Sequence, residues 1–335
     1  MQRLGLLKKS SYCNNLDREY DMENRSGVGS AIGKIILIGE HAVVYGQPAL
    51  ALPFPTTKIK TTISRIDGPV VLDCFFFKGL ISHADEKLLG LTRVIRQIVD
   101  SFNQDFKDLK IIIESSIPPE RGMGSSAAAA IATIRALYDY FDKLLLEDEL
   151  LKWTNVSETI VHGNPSGLDA RIISSETPLY YIKDKAFAPF NFKLDAYLIL
   201  ADSGQHGQTK STVADVRKLM ESNPNKGEIL IKGLGDLSKQ AKDSIKKNNS
   251  ELLGLIMSKA HNLLDELDVS NESLNYLVSV ALDNGALGAK LTGGGRGGCV
   301  IALAANKEEA YTISNQLRNK GAKDTWISHL GVDLL

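Results

Sequence analysis

The segment Glu120-Arg121-Gly122-Met123-Gly124-Ser125-Ser126-Ala127 sets two glycines and two hydroxyls ahead of an alanine run. Glycine lets backbone approach a ligand closely, and the first amides of a helix lack intrahelical acceptors, so this loop can cradle phosphate oxygens. The plain alternative is a glycine-containing loop with a serine N-cap. A second segment, Lys34 to Pro48, reads KIILIGEHAVVYGQP, an apolar strand that delivers Glu40 and His41 to a turn. A histidine at a strand end is more often structural than a ligand, and a lysine at a strand start more often solvated. A third, Glu158 to Asp169, carries two carboxylates around His162-Gly-Asn-Pro-Ser166. Ser166-x-x-Asp169 has the form of a capping box, in which Asp169 would only accept a backbone N–H. Glu158 falls at the edge of the apolar arc of its helix, and a partly buried carboxylate needs a partner, for which a metal ion is one choice. The fourth, Lys290 to Cys299, holds five glycines in the six residues from Gly293 to Gly298. Such density suits either close approach to a ligand or a mobile connection. Polar groups at a strand end, Asp202 to Lys210 with His206 and Thr209, complete the candidates.

Two familiar phosphate motifs fail. A Walker A loop ending at Gly33-Lys34 has Val28 where its first glycine belongs and Ile35 after the lysine. The Gly-x-Gly-x-x-Gly/Ala pattern of dinucleotide folds fits Gly122, Gly124 and Ala127, and again Gly293, Gly295 and Gly298. The first match follows Pro118-Pro119 and the second runs into a strand, so neither has the strand, turn and helix setting that the motif requires.

Hydrophobic periodicity predicts the elements that must hold these groups. Strands are expected over Lys34–Gly39, Lys58–Ile66, Val70–Phe77, Leu109–Glu114, Ala196–Ala201, Val300–Ala304 and Thr325–Ile327. Helices are expected over Leu88–Phe102, from near Gly124 with Ile131, Ile134, Tyr138 and Phe141 on one face, over Glu147–Val161, through much of Thr209–Asn284, and over Glu308–Asn319. The mixed order favours α+β over a doubly wound sheet. The four alanines Ala127 to Ala130 let the long helix pack closely on its neighbours. At 335 residues, with 43% hydrophobic and 24% charged composition, the chain is of globular type and long enough for two domains. Residues 1–26 read as a poorly ordered extension, with Met22 an alternative start, and Leu179–Phe192 as the boundary between domains 27–188 and 189–335.

A formal charge of -1 gives no attractive field for nucleic acid or an anionic membrane, so an anionic ligand must be held locally. Cys13, Cys74 and Cys299 form no Cys-x-x-Cys pair, which fits a reducing, cytoplasmic setting. No apolar run reaches the roughly 18 residues of a membrane span, and Leu4–Leu7 is too short for a signal-peptide core.

Taken in order, KIILIGEHAVVYGQPA (Lys34 to Ala49), RGMGSSAA (Arg121 to Ala128), HGNPSGLD (His162 to Asp169) and KLTGGGRGGC (Lys290 to Cys299) resemble the motifs of the GHMP small-molecule kinases, most closely the branch that phosphorylates mevalonate. The likeness runs from about Gly27 to the C-terminus. It implies a ribosomal protein S5 domain 2-like N-terminal domain and a ferredoxin-like C-terminal one. It also implies Asp169 as general base and Lys34 beside it as the group that keeps Asp169 ionised. Arg121, Gly122, Met123, Gly124, Ser125, Ser126, Gly294 and Gly295 would form the nucleotide site, with Ser126 and Glu158 on Mg²⁺. Glu40, His41 and Thr209 would face mevalonate. The expected partners are therefore ATP and mevalonate, with a homodimer left open and neither nucleic acid nor membrane involved.

The chain departs from the family pattern at Ile32, where proline is frequent, at Glu120-Arg121, where small residues often begin the phosphate loop, and at Arg296, where a small residue is common. None of these removes a group given a catalytic role. The alternatives are another kinase of the family, acting on phosphomevalonate or galactose, a non-catalytic ATP-binding regulator, and a dehydrogenase on the glycine patterns. A substrate panel separates the first, absence of turnover would favour the second, and quenching of NADH fluorescence the third.

Overall fold

The structure, a computed structural model, describes residues 25–163, 165, 167–183, 185 and 188–331. The readings made for residues 1–24 and for Ser166 lie outside the described residues. From the N-terminal side come β1 (Ser26–Ile38), β2 (Ala49–Arg65), β3 (Val71–Cys74), β4 (Phe77–Leu80), α1 (Leu89–Ser101) and β5 (Leu109–Ser115). Then follow α2 (Ser125–Tyr140), α3 (Glu147–His162), α4 (Leu168–Ser175), β6 (Leu179–Tyr181), β7 (Ala188–Pro189) and β8 (Tyr197–Asp202). The remainder is α5 (Thr209–Ser222), α6 (Pro224–Lys246), α7 (Ser250–Glu266), α8 (Glu272–Asp283), β9 (Gly288–Thr292), β10 (Cys299–Ala304), α9 (Lys307–Asn319) and β11 (Asp324–His329). The fold is α+β, as the order of patterns implies.

The chain divides into two compact units, neither of which is continuous in sequence. The first takes Met1–Ala31, Ile59–Ser115 and Ala129–Asn164; the second takes Ile32–Lys58, Ser116–Ala128 and Pro165–Leu335. The boundary expected between residues 188 and 189 falls inside the second unit.

In the first unit the strand order is β4-β3-β5-β2, with β3 parallel to β5 and the other neighbours antiparallel. The stretch expected as one strand over Val70–Phe77 is the hairpin β3–β4, because the chain turns back at Phe75-Phe76. Leu91, Val94, Ile95 and Ile98 line the buried face of α1, the 3.6-residue period made physical. Small residues set the packing distance on α2, where a Cβ at Gly29 would fall 2.1 Å from the Ala132 carbonyl oxygen.

The second unit is built on an antiparallel sheet in the order β11-β8-β10-β9. Helices α5 to α8 connect β8 to β9 and α9 connects β10 to β11, so the four strands follow the 4-1-3-2 order of a ferredoxin-like domain. All six residues of β10 are buried, and α7 and α8 pack on β9 while α9 packs on β8 and β11. In the same unit the start of β2 pairs with β6, Ala49 opposite Tyr181 and Ala51 opposite Leu179. The segment read as a linker thus supplies a paired strand. Leu168 and Ile172 of α4 are buried with Val43, Ala49, Ala51, Leu179 and Tyr181 in one apolar cluster, which seats α4.

The run of strand is longer than its apolar part. β1 spans thirteen residues and begins at Ser26, so the expected Lys34–Gly39 is only its end. Three glycines between Ser26 and Lys34 lower the apparent strand propensity there. β9 includes Lys290 and Thr292, so the glycine-rich connection starts at Gly293.

Candidate active site

Lys34 sits within β1, and its backbone amide donates to the Met123 carbonyl at 3.0 Å, which ties the strand to the glycine loop. Its ammonium lies 2.9 Å from Asp169 Oδ1. Of this pair Lys34 is buried, with a side chain 4% exposed, and Asp169 is open at 35%, so the carboxylate is the member that a substrate can reach. Asp169 occupies the first turn of α4, where the helix dipole favours negative charge. The residue capping α4 is Gly167, at φ 73°, and among the described residues Asp169 pairs with Lys34, a cation from β1.

Gly124 explains how the glycine loop meets this pair. Its φ is +73°, and a Cβ there would fall 2.9 Å from Ile173 Cδ1 of α4 and 3.0 Å from Lys34 Cγ. A side chain would displace the lysine stem that aims the ammonium. Ser125 and Ser126 follow as the first residues of α2, whose opening turn presents amides with no helical acceptor. Met123 is buried and contributes its carbonyl, and Gly122 lies against Gly293, with a Cβ reaching 3.2 Å from its Cα. The two glycine-rich segments therefore touch backbone to backbone within the second unit.

Around the second of these segments gather His41, Thr209, Gly294 and Gly295. His41 Nε2 lies 3.0 Å from the Gly294 carbonyl oxygen. A carbonyl only accepts, so Nε2 carries the proton and Nδ1 is left as an acceptor. Nδ1 is buried and has no hydrogen-bond partner. Burial holds the imidazole pKa down to about 4, with the neighbouring Lys290 and Arg296 charges adding to the effect. Thr209, the first residue of α5, packs against Gly294, where a Cβ would fall 2.1 Å from Thr209 Oγ1. The Gly295 carbonyl accepts from the Gln208 amide at 3.0 Å.

Glu40 is wholly buried. Its Oε1 accepts from Lys290 Nζ, which also donates to the Leu291 carbonyl at 2.6 Å, and neither side chain of the pair is exposed. Burial pushes the Glu40 carboxyl upward and the Lys290 ammonium downward, while their mutual attraction opposes both shifts. Glu40 Oε2 has no hydrogen-bond partner. Positions 40 and 41 thus carry one buried, unsatisfied acceptor each, an unusual concentration in a folded chain.

Glu158 lies on α3 in the first unit. It is 6% exposed, with Oε2 3.7 Å from His162 Nε2. Among the described residues no three His, Cys, Asp or Glu side chains gather where they could hold a metal ion. No helix among the described residues is long and apolar enough to cross a membrane.

Sequence reasoning assigned no role to Lys290, Thr292 or Asp202. Thr292 Oγ1 donates to the Ile36 carbonyl at 2.9 Å and accepts from the Ile36 amide at 3.2 Å, joining β9 to β1. Asp202 receives Arg121 Nε at 2.7 Å, both residues being buried. A signal existed for the two charged residues. Lys290 interrupts the buried run GAKLT and Asp202 ends the apolar run YLILAD, and a charge inside an apolar strand pattern implies a buried partner.

Family models match the chain in two places, GHMP kinases N terminal domain over residues 91–175 and GHMP kinases C terminal over residues 241–323. The mevalonate kinase of Pyrococcus furiosus is 33% identical over 329 residues, 92% of this chain and 98% of that one. The mevalonate kinase structure from methicillin-resistant Staphylococcus aureus MRSA252 is similar with a TM-score of 0.71 at 34% identity, covering 92% of this chain and 99% of that one. The L. major mevalonate kinase in complex with R-mevalonate gives a TM-score of 0.79 at 28% identity, over 91% and 96%.

Proposed function

The chain belongs to the GHMP kinases, and from that premise we propose that it is a mevalonate kinase, transferring the γ-phosphoryl group of ATP to the primary hydroxyl of mevalonate. The observation that carries the reading is the Lys34–Asp169 pair, 2.9 Å apart and set against the glycine loop at Gly124. Asp169 is the base: it takes the hydroxyl proton as the substrate oxygen bonds to the γ-phosphorus, while the bond to the bridging oxygen breaks and its electron pair leaves with ADP. Lys34, 2.9 Å from Asp169, orients the carboxylate and offsets charge on the phosphoryl oxygens in transit. Such transfer needs positioning and charge neutralisation more than covalent chemistry. The amides of Gly122 to Ser126 are the groups for the nucleotide phosphates, with Gly294 and Gly295 supporting them.

Mg²⁺, when bound with ATP, would supply charge neutralisation at the phosphates, and its preference for oxygen suits the Ser126 hydroxyl at the end of the glycine loop. Glu40, His41 and Thr209 are the residues for the hydroxy acid. The vacant acceptor at His41 Nδ1 supports this, because it suits a hydroxyl donor. The neutral imidazole adds no charge to the site.

The test is a coupled assay with ATP and Mg²⁺ against mevalonate, phosphomevalonate and galactose. Turnover confined to mevalonate is expected, and preference for another acceptor would reassign the substrate. Asp169→Asn should lower kcat by about a hundredfold or more with ATP affinity kept. Near-normal turnover in that variant would remove Asp169 as the base.

A further inference from the structure

Arg121 begins the glycine loop, where a long cation would be expected to reach a nucleotide phosphate. Its guanidinium is instead committed to the protein. The residue is 5% exposed; Nε donates to Asp202 Oδ1 at 2.7 Å and Nη2 to the Gly204 carbonyl at 3.0 Å. Nη1 lies 3.1 Å from His206 Nδ1 and 3.5 Å from the Pro119 carbonyl oxygen. His206 Nδ1 is also 2.7 Å from Glu120 Oε2, and as a single nitrogen it serves one of these contacts at a time.

Asp202 is fixed in turn. It closes β8, stands opposite Cys299 of β10 and Asp324 of β11, is 1% exposed, and accepts from the Gly204 amide at 2.8 Å through the same Oδ1. The backbone repeats the attachment. The Gly207 amide donates to the Glu120 carbonyl at 2.9 Å, and a Cβ at Gly298 would fall 3.0 Å from the Arg121 carbonyl oxygen. One residue before its first glycine, the loop is thus bolted to the rigid end of the four-stranded sheet.

We propose that Arg121 is a positioning residue for nucleotide binding: through Asp202 it fixes the start of the Gly122–Ser126 loop, so that the loop's amides are held ready for phosphate, and it does not itself bind ATP. The proposal rests on the reading of that loop as the nucleotide phosphate site. The ion pair is internally neutral, so it braces the loop without placing a spare cation there. Amides fixed before binding cost less to order when the ligand arrives, so the brace acts on nucleotide affinity.

Arg121→Lys keeps the charge but loses the planar fork that meets Asp202 and Gly204 together. Arg121→Met/Asp202→Leu removes both charges and leaves neither stranded, which a single replacement would do. Both are compared with wild type below their melting midpoints by ATP titration and by steady-state kinetics. The expected result is a rise of about tenfold in ATP Kd and ATP KM, with the mevalonate KM within about twofold of wild type. Hydrogen exchange at residues 122–126 should quicken in the free variants. A merely structural arginine would lower the melting midpoint and leave this ratio of KM values unchanged. Unaltered ATP affinity in Arg121→Lys, or in the double variant, would overturn the inference while the kinase reading stood. Failure of the wild type to bind ATP would overturn both.

Discussion

Lys34 and Asp169 are 135 positions apart, and their residue types alone allowed a solvated lysine and a capping aspartate; the roles proposed for them came from the resemblance of their segments to the kinase motifs. Glu40 and Lys290 were harder. Each lies inside a recognised segment, but that they form a pair depends on how β9 lies in the folded unit, which no local spacing reports. The Ser166–Asp169 capping alternative rests on a residue outside the described ones, and the contact of Asp169 with Lys34 is a tertiary outcome. At this scale the Glu40–Lys290 pair makes a sharp prediction. With neither side chain exposed, removal of one charge strands the other, so Lys290→Met should cost about 3–5 kcal/mol of stability. Glu40→Gln/Lys290→Met should recover much of that loss. Urea unfolding of the two variants checks this, and equal midpoints would mean that the ions are not energetically coupled.

Among elements, those with a strong apolar period were legible almost to the residue: α1, β5, α3 and α9 lie within one or two positions of their expected bounds. What was lost has physical causes. Glycines hid the first half of β1, two exposed phenylalanines concealed the turn between β3 and β4, and β9 was masked by the glycine run that follows it. The glycine loop before α2 was recognisable, but not that a side chain at Gly124 would also press on Lys34 and Ile173. Gly124→Ala should strain a left-handed residue by about 1–2 kcal/mol and push on Lys34 and Ile173. If Lys34 has the role proposed for it, kcat should fall by between about ten- and a hundredfold. A variant with wild-type kcat and reduced stability would show that the lysine stem has room to move.

For the molecule as a whole, net charge near zero means that two anionic substrates are held by local groups, and the acid response of the protein follows from what is buried near them. His41 and His261 are both held down to about 4 against 6.5 in the unfolded chain, with burial the largest cause for each. Between those values the unfolded state binds more protons, so this part of the stability is present above about pH 6.5 and is lost as pH falls toward 4. Each imidazole gives a slope approaching about 1.4 kcal/mol per pH unit. Glu40, raised by burial, acts in the opposite sense over its own range. His261→Gln removes one contribution without touching the proposed substrate residues. Urea unfolding at pH 7.5, 6 and 5 should show its dependence on pH shallower by about 1 kcal/mol per unit. An unchanged slope would assign the acid response elsewhere.

The interleaving of the two units bears on how this protein can be cut. The chain passes from one unit to the other after Ala31, Lys58, Ser115, Ala128 and Asn164. A fragment ending at residue 188 would carry every segment of the first unit but would strand β1's end, the glycine loop and α4 without the four-stranded sheet they fold with. A gene fusion or split reporter designed on a linear, bead-on-a-string picture would therefore keep the Lys34–Asp169 pair but remove Thr292 and Asp202, which tie β1 and the start of the glycine loop to the four-stranded sheet. Insertions belong in exposed turns that lie within a single unit, such as the tip of the β3–β4 hairpin, where the chain leaves and returns without changing sides.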